Sequence, residues 1–90
     1  MKKLVLIVDD DRVFNRLLVE QVAEMGLDAV GAHSWKEAAQ ILQDSEPDLI
    51  FLDLRLPDAD TPQLVAGLSG QFPIVVLTGY GSIRNAVSLI

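Results

Sequence analysis

Ninety residues, half of them hydrophobic and 22% charged, describe one folded domain with a modest core rather than a disordered chain. The net charge is −6 and the seven basic residues are scattered, which argues against autonomous nucleic-acid binding and suits a metal cation or a basic protein patch. With no cysteine there is neither a disulfide framework nor a thiolate metal site, and the opening MKKLVLIV meets three aspartates too soon for a signal core or a membrane span, so a cytoplasmic chain is expected.

The first element is Leu4–Val8, a continuous Val/Ile/Leu run of the kind found in strands covered on both faces. Residues 12–25 then place Phe14, Leu17, Leu18, Val22 and Met25 on one helical stripe, with Gly26 as the stop. A weaker strand is expected over 29–32. Ser34-Trp35-Lys36-Glu37 has the S-x-x-E spacing of a capping box and opens a second helix, with Ala38, Ile41 and Leu42 as its apolar face and Glu46-Pro47 closing it.

Leu49-Ile50-Phe51-Leu52 reads as another doubly covered strand, and it ends on a carboxylate, Asp53. Thr61-Pro62 looks like an N-cap followed by proline at the first helical position, opening a short helix to about residue 68. Gly70 and Pro73 bracket the turn into the strand Ile74–Leu77. Ser82 can cap a fourth helix in which Ile83, Ala86, Val87 and Ile90 keep step, and no stop signal follows. The chain is therefore expected to end inside that helix.

Strand and helix alternating in this way imply right-handed βαβ units: an α/β domain over residues 1–90 with a doubly wound parallel sheet and helices on both faces. In such sheets the working site lies outside the carboxyl ends of the strands. The first strand ends in Asp9-Asp10-Asp11, the third in Asp53 and the fourth in Thr78-Gly79. Asp11 stands where a carboxylate caps the first helix. The remaining carboxylates would repel one another unless a cation sat between them, and hard oxygen ligands without His or Cys favour magnesium. Such a metal would neutralise a phosphoryl group brought to the site.

The stretches LVLIVDDDRVFNRLL, DLIFLDLRLPDAD and PIVVLTGYGSIRNAV together resemble the receiver domain of two-component response regulators. The resemblance implies a flavodoxin-like strand order of 2-1-3-4, and a signalling module rather than an enzyme. Asp53 matches the phosphoacceptor, which attacks the phosphorus of a phosphohistidine on a sensor histidine kinase or phosphotransfer protein. Asp9 and Asp10 match the acidic pair that holds Mg2+ with Asp53, and Arg55 matches the position whose backbone carbonyl completes the metal's protein ligands. Thr78 matches the hydroxyl residue that turns toward the phosphoryl oxygens, and Gly79 the small residue that leaves room for them.

There are departures from the pattern. The family continues with the rest of the fourth helix, a fifth strand and a fifth helix, and its fifth strand carries an aromatic switch residue and ends in a lysine that pairs with the phosphoryl group. Here the last lysine is Lys36 and no aromatic follows Tyr80. Thr61 stands where the family often has glycine, a change expected to restyle the loop into a helix cap. Without a fifth strand, PIVVLT would be an uncovered apolar edge, so self-association of a truncated fragment through the fourth strand is expected as the alternative to signalling.

Haloacid-dehalogenase-type phosphohydrolases also use a strand-end aspartate with magnesium, but they need a second acid two residues on, where this chain has Arg55. His33 has no partner at ligand spacing and reads as a loop residue, and Trp35 as packing at the entry to the second helix.

Overall fold

The computed structural model describes residues 2–77 and the backbone of 87–89. The elements are β1 (Leu4–Val8), α1 (Arg12–Glu24), β2 (Asp28–Ala32), α2 (Trp35–Asp44), β3 (Leu49–Asp53), α3 (Thr61–Leu68), β4 (Ile74–Leu77) and β5 (Val87–Leu89). They form one sheet in the order β2-β1-β3-β4-β5. The first four strands are parallel, with Val8 level with Ala32 and Leu52, and Asp53 level with Leu77. That register brings the carboxyl ends of β1 and β3 side by side.

Alternation along the strands separates two apolar layers. Leu6, Val8, Ile50, Leu52, Ile74 and Val76 point to the face on which α2 and α3 pack. Val5 and Ile7 point to the other, against Val22 and the half-buried Leu18 and Val19 of α1. Leu6, Ile7 and Val8 have no exposed surface. A strand buried on both faces has no reason to alternate polar and apolar residues, which is why it reads as a continuous run.

The helix ends follow local chemistry. Asp11 caps α1, its Oδ1 accepting from the Val13 and Phe14 N–H groups at 3.1 Å each. Gly26 ends α1 at φ +87°, a left-handed conformation that costs glycine little. The capping box at α2 forms in a shifted version: Ser34 Oγ accepts from the Glu37 N–H at 3.1 Å, while Glu37 Oε1 accepts from the N–H of His33, one residue outside the cap, at 3.2 Å.

Four expectations need correction. The buried face of α1 is centred on Asn15 and Val22, whereas Leu17 and Met25, expected inside, are 52% and 73% exposed. The inner stripe is rotated because an amide at position 15 occupies a core position. The cap of α3 is Asp60, whose Oδ1 accepts from the Gln63 N–H at 3.3 Å, so Thr61 is already the first helical residue and Pro62 the second.

The third correction concerns the fourth helix. Val87, expected on its apolar stripe, begins a strand instead, and Ser82, Ile83, Ala86 and Ile90 lie outside the described residues. The fourth follows from it. The sheet has a fifth strand, antiparallel to β4 with Val75 opposite Leu89 and Leu77 opposite Val87, so the β4 edge expected to be open is covered by the chain itself. A short apolar run fits either helix or strand period, and the unpaired N–H and C=O groups along β4 offer it a template.

Candidate functional site

Asp9 follows directly on β1, its N–H bonded to the Ala32 carbonyl at 3.0 Å, and Asp53 is the last residue of β3. With Asp10 they bring three carboxylates together, one oxygen from each lying within 4.8 Å of the others. Asp9 is buried at 6% exposure, Asp53 half-buried and Asp10 exposed. The cluster opens to solvent on one side and is rooted in the core on the other.

Burial and like charges set the electrostatics of the cluster. Burial pushes the Asp9 carboxyl up from 3.8 to about 6; the Asp11 N–H donated to Asp9 Oδ1 at 2.9 Å opposes this, and the charges of Asp53 and Asp10 add to it. Asp53 is raised as well, first by burial and then by Asp10, against the opposing Arg55 N–H at 2.9 Å from Asp53 Oδ1. Asp9 and Asp53 thus share one local device, in which each carboxylate accepts from the backbone N–H two residues later. A divalent cation among them would remove the repulsion, and all-oxygen donors at strand ends suit Mg2+ or Ca2+.

The loop after Asp53 is pinned along its length. The Leu54 N–H donates to the Leu77 carbonyl at 3.0 Å, Leu56 is buried in the core, and Asp60 caps α3. Between them, both carboxylate oxygens of Asp58 accept from the first N–H groups of α2, Trp35 and Lys36, at 3.0 Å each. These contacts hold the Asp58 carboxyl below its ordinary range and tie the Asp53 loop to a helix 22 residues earlier in the chain. No pattern around residue 58 announces this tie, because its partners are unpaired N–H groups remote in sequence.

Of the residues singled out from sequence, Asp9, Asp10 and Asp53 are brought together, Arg55 contributes its N–H to Asp53, and Thr78 and Gly79 lie outside the described residues. Asn15 and Gly31 were missed. The Asn15 side chain is 2% exposed and donates from Nδ2 to the carbonyls of Asp9 and Ala32 at 3.0 and 2.9 Å, beside a longer 3.4 Å approach to Ile7. The available signal was the period of α1, which puts position 15 on the same face as Leu18, Val19 and Val22.

Parallel strands, acidic strand ends and a pinned acceptor loop are joined by a direct finding: a family model described as response regulator receiver domain matches residues 5–90. The chain belongs to that family. It is 36% identical over 85 residues to the response regulator protein PilR of Pseudomonas aeruginosa, covering 91% of this chain and 19% of PilR. It thus spans about a fifth of that relative's length. Among solved structures it resembles a response regulator protein from Burkholderia pseudomallei with a phosphorylated aspartic acid, calcium ion and citrate, at TM-score 0.78 and 31% identity over 92% of this chain and 51% of that one. It also resembles the response regulator protein TrrA of Thermotoga maritima in complex with Mg2+ and BeF, at TM-score 0.76 and 27% identity over 87% and 70% of the two chains. The chain is therefore a receiver domain of the two-component type, with a flavodoxin-like sheet whose first four strands are parallel in the order 2-1-3-4. No described helix is long and apolar enough to cross a membrane.

Proposed function

We propose that this receiver domain accepts a phosphoryl group on Asp53 from the phosphohistidine of a cytoplasmic sensor kinase or phosphotransfer protein, in a reaction that needs Mg2+. One observation carries the reading: carboxylates from two adjacent strand ends converge within 4.8 Å, with Asp9 raised by burial and by the charges of Asp53 and Asp10, and Asp53 raised by burial and by Asp10. Supporting it are a neighbouring structure that contains a phosphorylated aspartic acid with calcium and another bound to Mg2+ and BeF.

In this reading Asp9, Asp10, Asp53 and the Arg55 backbone carbonyl would hold the metal, which would supply positive charge to the acidic cluster and to the incoming phosphoryl oxygens. A carboxylate oxygen of Asp53 attacks phosphorus; the P–O bond forms as the P–N bond breaks, and the imidazole leaves with the N–P electron pair. The Arg55 N–H holds Asp53 Oδ1 and so orients the carboxylate. Thr78 and Gly79, which follow β4 in the sequence, are the proposed hydroxyl contact and clearance for the phosphoryl oxygens.

Intact mass after incubation with Mg2+ and acetyl phosphate tests this. A single phosphoryl adduct is expected, lost in Asp53→Asn and in EDTA. A folded chain that gains no adduct would leave the acidic cluster without acceptor chemistry and favour the reading as a structural fragment. Self-association, in that case, would pair through β5, which stands at the end of the sheet, rather than through β4. Light scattering would report it.

A further inference from the structure

The amide of Asn15 is buried beside the acidic cluster, and its nitrogen is held by backbone carbonyls. Its Nδ2 faces the Asp9 and Ala32 carbonyls at 3.0 and 2.9 Å and that of Ile7 at 3.4 Å, so the nitrogen, not the oxygen, must face the strand ends. Its Oδ1 lies toward Gly31, where a Cβ would stand 2.2 Å from it. A glycine in the middle of β2 is thus the space that lets the amide reach both strands.

The carbonyl that Asn15 holds is a special one. The Asp9 C=O belongs to the peptide that joins Asp9 to Asp10, so a donor fixed on it sets the orientation of the plane from which both carboxylates leave. The same short segment is closed on itself. The Asn15 N–H donates to the Asp11 carbonyl at 2.9 Å, and the Asp11 N–H donates to Asp9 Oδ1 at 2.9 Å. The Ala32 carbonyl accepts both from Asn15 and from the Asp9 N–H. Adjacent side chains along an extended backbone diverge, and bringing two of them to one cation requires a definite peptide orientation.

We propose that Asn15, admitted by Gly31, is a positioning residue for the metal site: it holds the Asp9–Asp10 peptide in the orientation that lets both carboxylates face one divalent cation. This rests on the reading of the acidic cluster as a Mg2+ site, and it goes beyond that reading by naming what sets the cluster's geometry. Neither residue touches the metal; both act through the Asp9 backbone.

The test is Mg2+ affinity, measured by calorimetric titration of the full chain at a temperature where each variant is folded by circular dichroism. Removing the donor in Asn15→Leu, or crowding it in Gly31→Ala, should weaken Mg2+ binding by roughly 10–100-fold, the usual cost of losing a group that orients metal ligands. A residue that merely fastens α1 to the sheet would lower the melting temperature and leave the Mg2+ dissociation constant of the folded variant within about twofold of wild type. That outcome overturns the proposal.

Should neither variant fold, the wild-type protein decides. The Asn15 side-chain amide signals in a 1H–15N spectrum should move as Mg2+ saturates the site, and their remaining still while the Asp9 and Asp10 backbone amides shift is the contrary result. A wild type that binds no Mg2+ overturns both this proposal and the metal reading. A wild type that binds Mg2+ but gains no phosphoryl adduct sinks the acceptor reading alone, and the role of Asn15 then stands or falls on its own affinity measurement.

Discussion

The acidic cluster should destabilise the metal-free protein, and replacing Asp9 with asparagine should relieve the strain. The Asp9 carboxyl is raised from 3.8 in the unfolded chain to about 6 in the folded one, chiefly by burial. Between those values the folded state holds a proton that the unfolded state has released, so stability falls as pH rises through the window and the loss is complete above about 6. At ~1.4 kcal/mol per tenfold change in proton affinity, the penalty at pH 7.5 approaches roughly 3 kcal/mol. Part of it is shared with Asp10 and Asp53, so a gain of about 1–3 kcal/mol is expected for Asp9→Asn.

The asparagine keeps a carbonyl oxygen for the Asp11 N–H that Asp9 Oδ1 now accepts, so that hydrogen bond need not be lost. In EDTA at pH 7.5 the variant should melt about 4 °C or more above wild type, given ~4–8 °C per kcal/mol for a domain of this size. Mg2+ should raise the wild-type melting temperature more at pH 7.5 than at pH 5, and should do little for the variant. A variant less stable than wild type in EDTA, or a wild-type stability that is flat between pH 4 and 7, would refute the electrostatic account.

Asp58 gives the opposite pH signature: its carboxyl is lowered by the Trp35 and Lys36 N–H groups, so its contribution is present above about 3.8 and is lost as pH falls through the folded value. Asp58→Ala should accordingly reduce stability at pH 7 and progressively less as pH falls below 3.8, in paired urea titrations. Ile7 has no exposed surface, and Ile7→Ala should cost ~2–5 kcal/mol, enough to leave a domain this small largely unfolded in a denaturant titration. The Thr61 hydroxyl is buried with no hydrogen-bond partner among the described residues, so Thr61→Val should raise stability by about 1 kcal/mol in the same assay. Gly26→Ala forces a Cβ into a left-handed conformation at φ +87° and should cost about 1 kcal/mol.

Much of this protein was legible because the signals are local. A strand buried on both faces writes itself as an apolar run, and Leu4–Val8, Leu49–Asp53 and Ile74–Leu77 stand where those runs stand. Caps are chemistry between near neighbours, so Asp11 and Ser34 could be read from spacing, while the third cap, Asp60, was displaced by one residue because Asp, Thr and Pro are all acceptable there. The convergence of Asp9, Asp10 and Asp53 followed from a general property of parallel sheets, that consecutive strand ends share an edge.

What only the tertiary structure decided are pairings between groups remote in sequence. The sequence carries no local mark that Asn15 would spend its amide on the Asp9 and Ala32 carbonyls, or that Gly31 would make room for it, and so the inner face of α1 was read one step off. The grip of Asp58 on the first turn of α2 is likewise invisible until two orphan N–H groups are brought within 3.0 Å of its carboxylate. Whether Val87–Leu89 became helix or strand depended on the open edge of β4, which exists only once the sheet has formed. Periodicity and capping act over a few residues and are inscribed in them; a buried amide, a distant helix end and a sheet edge find their partners only through packing.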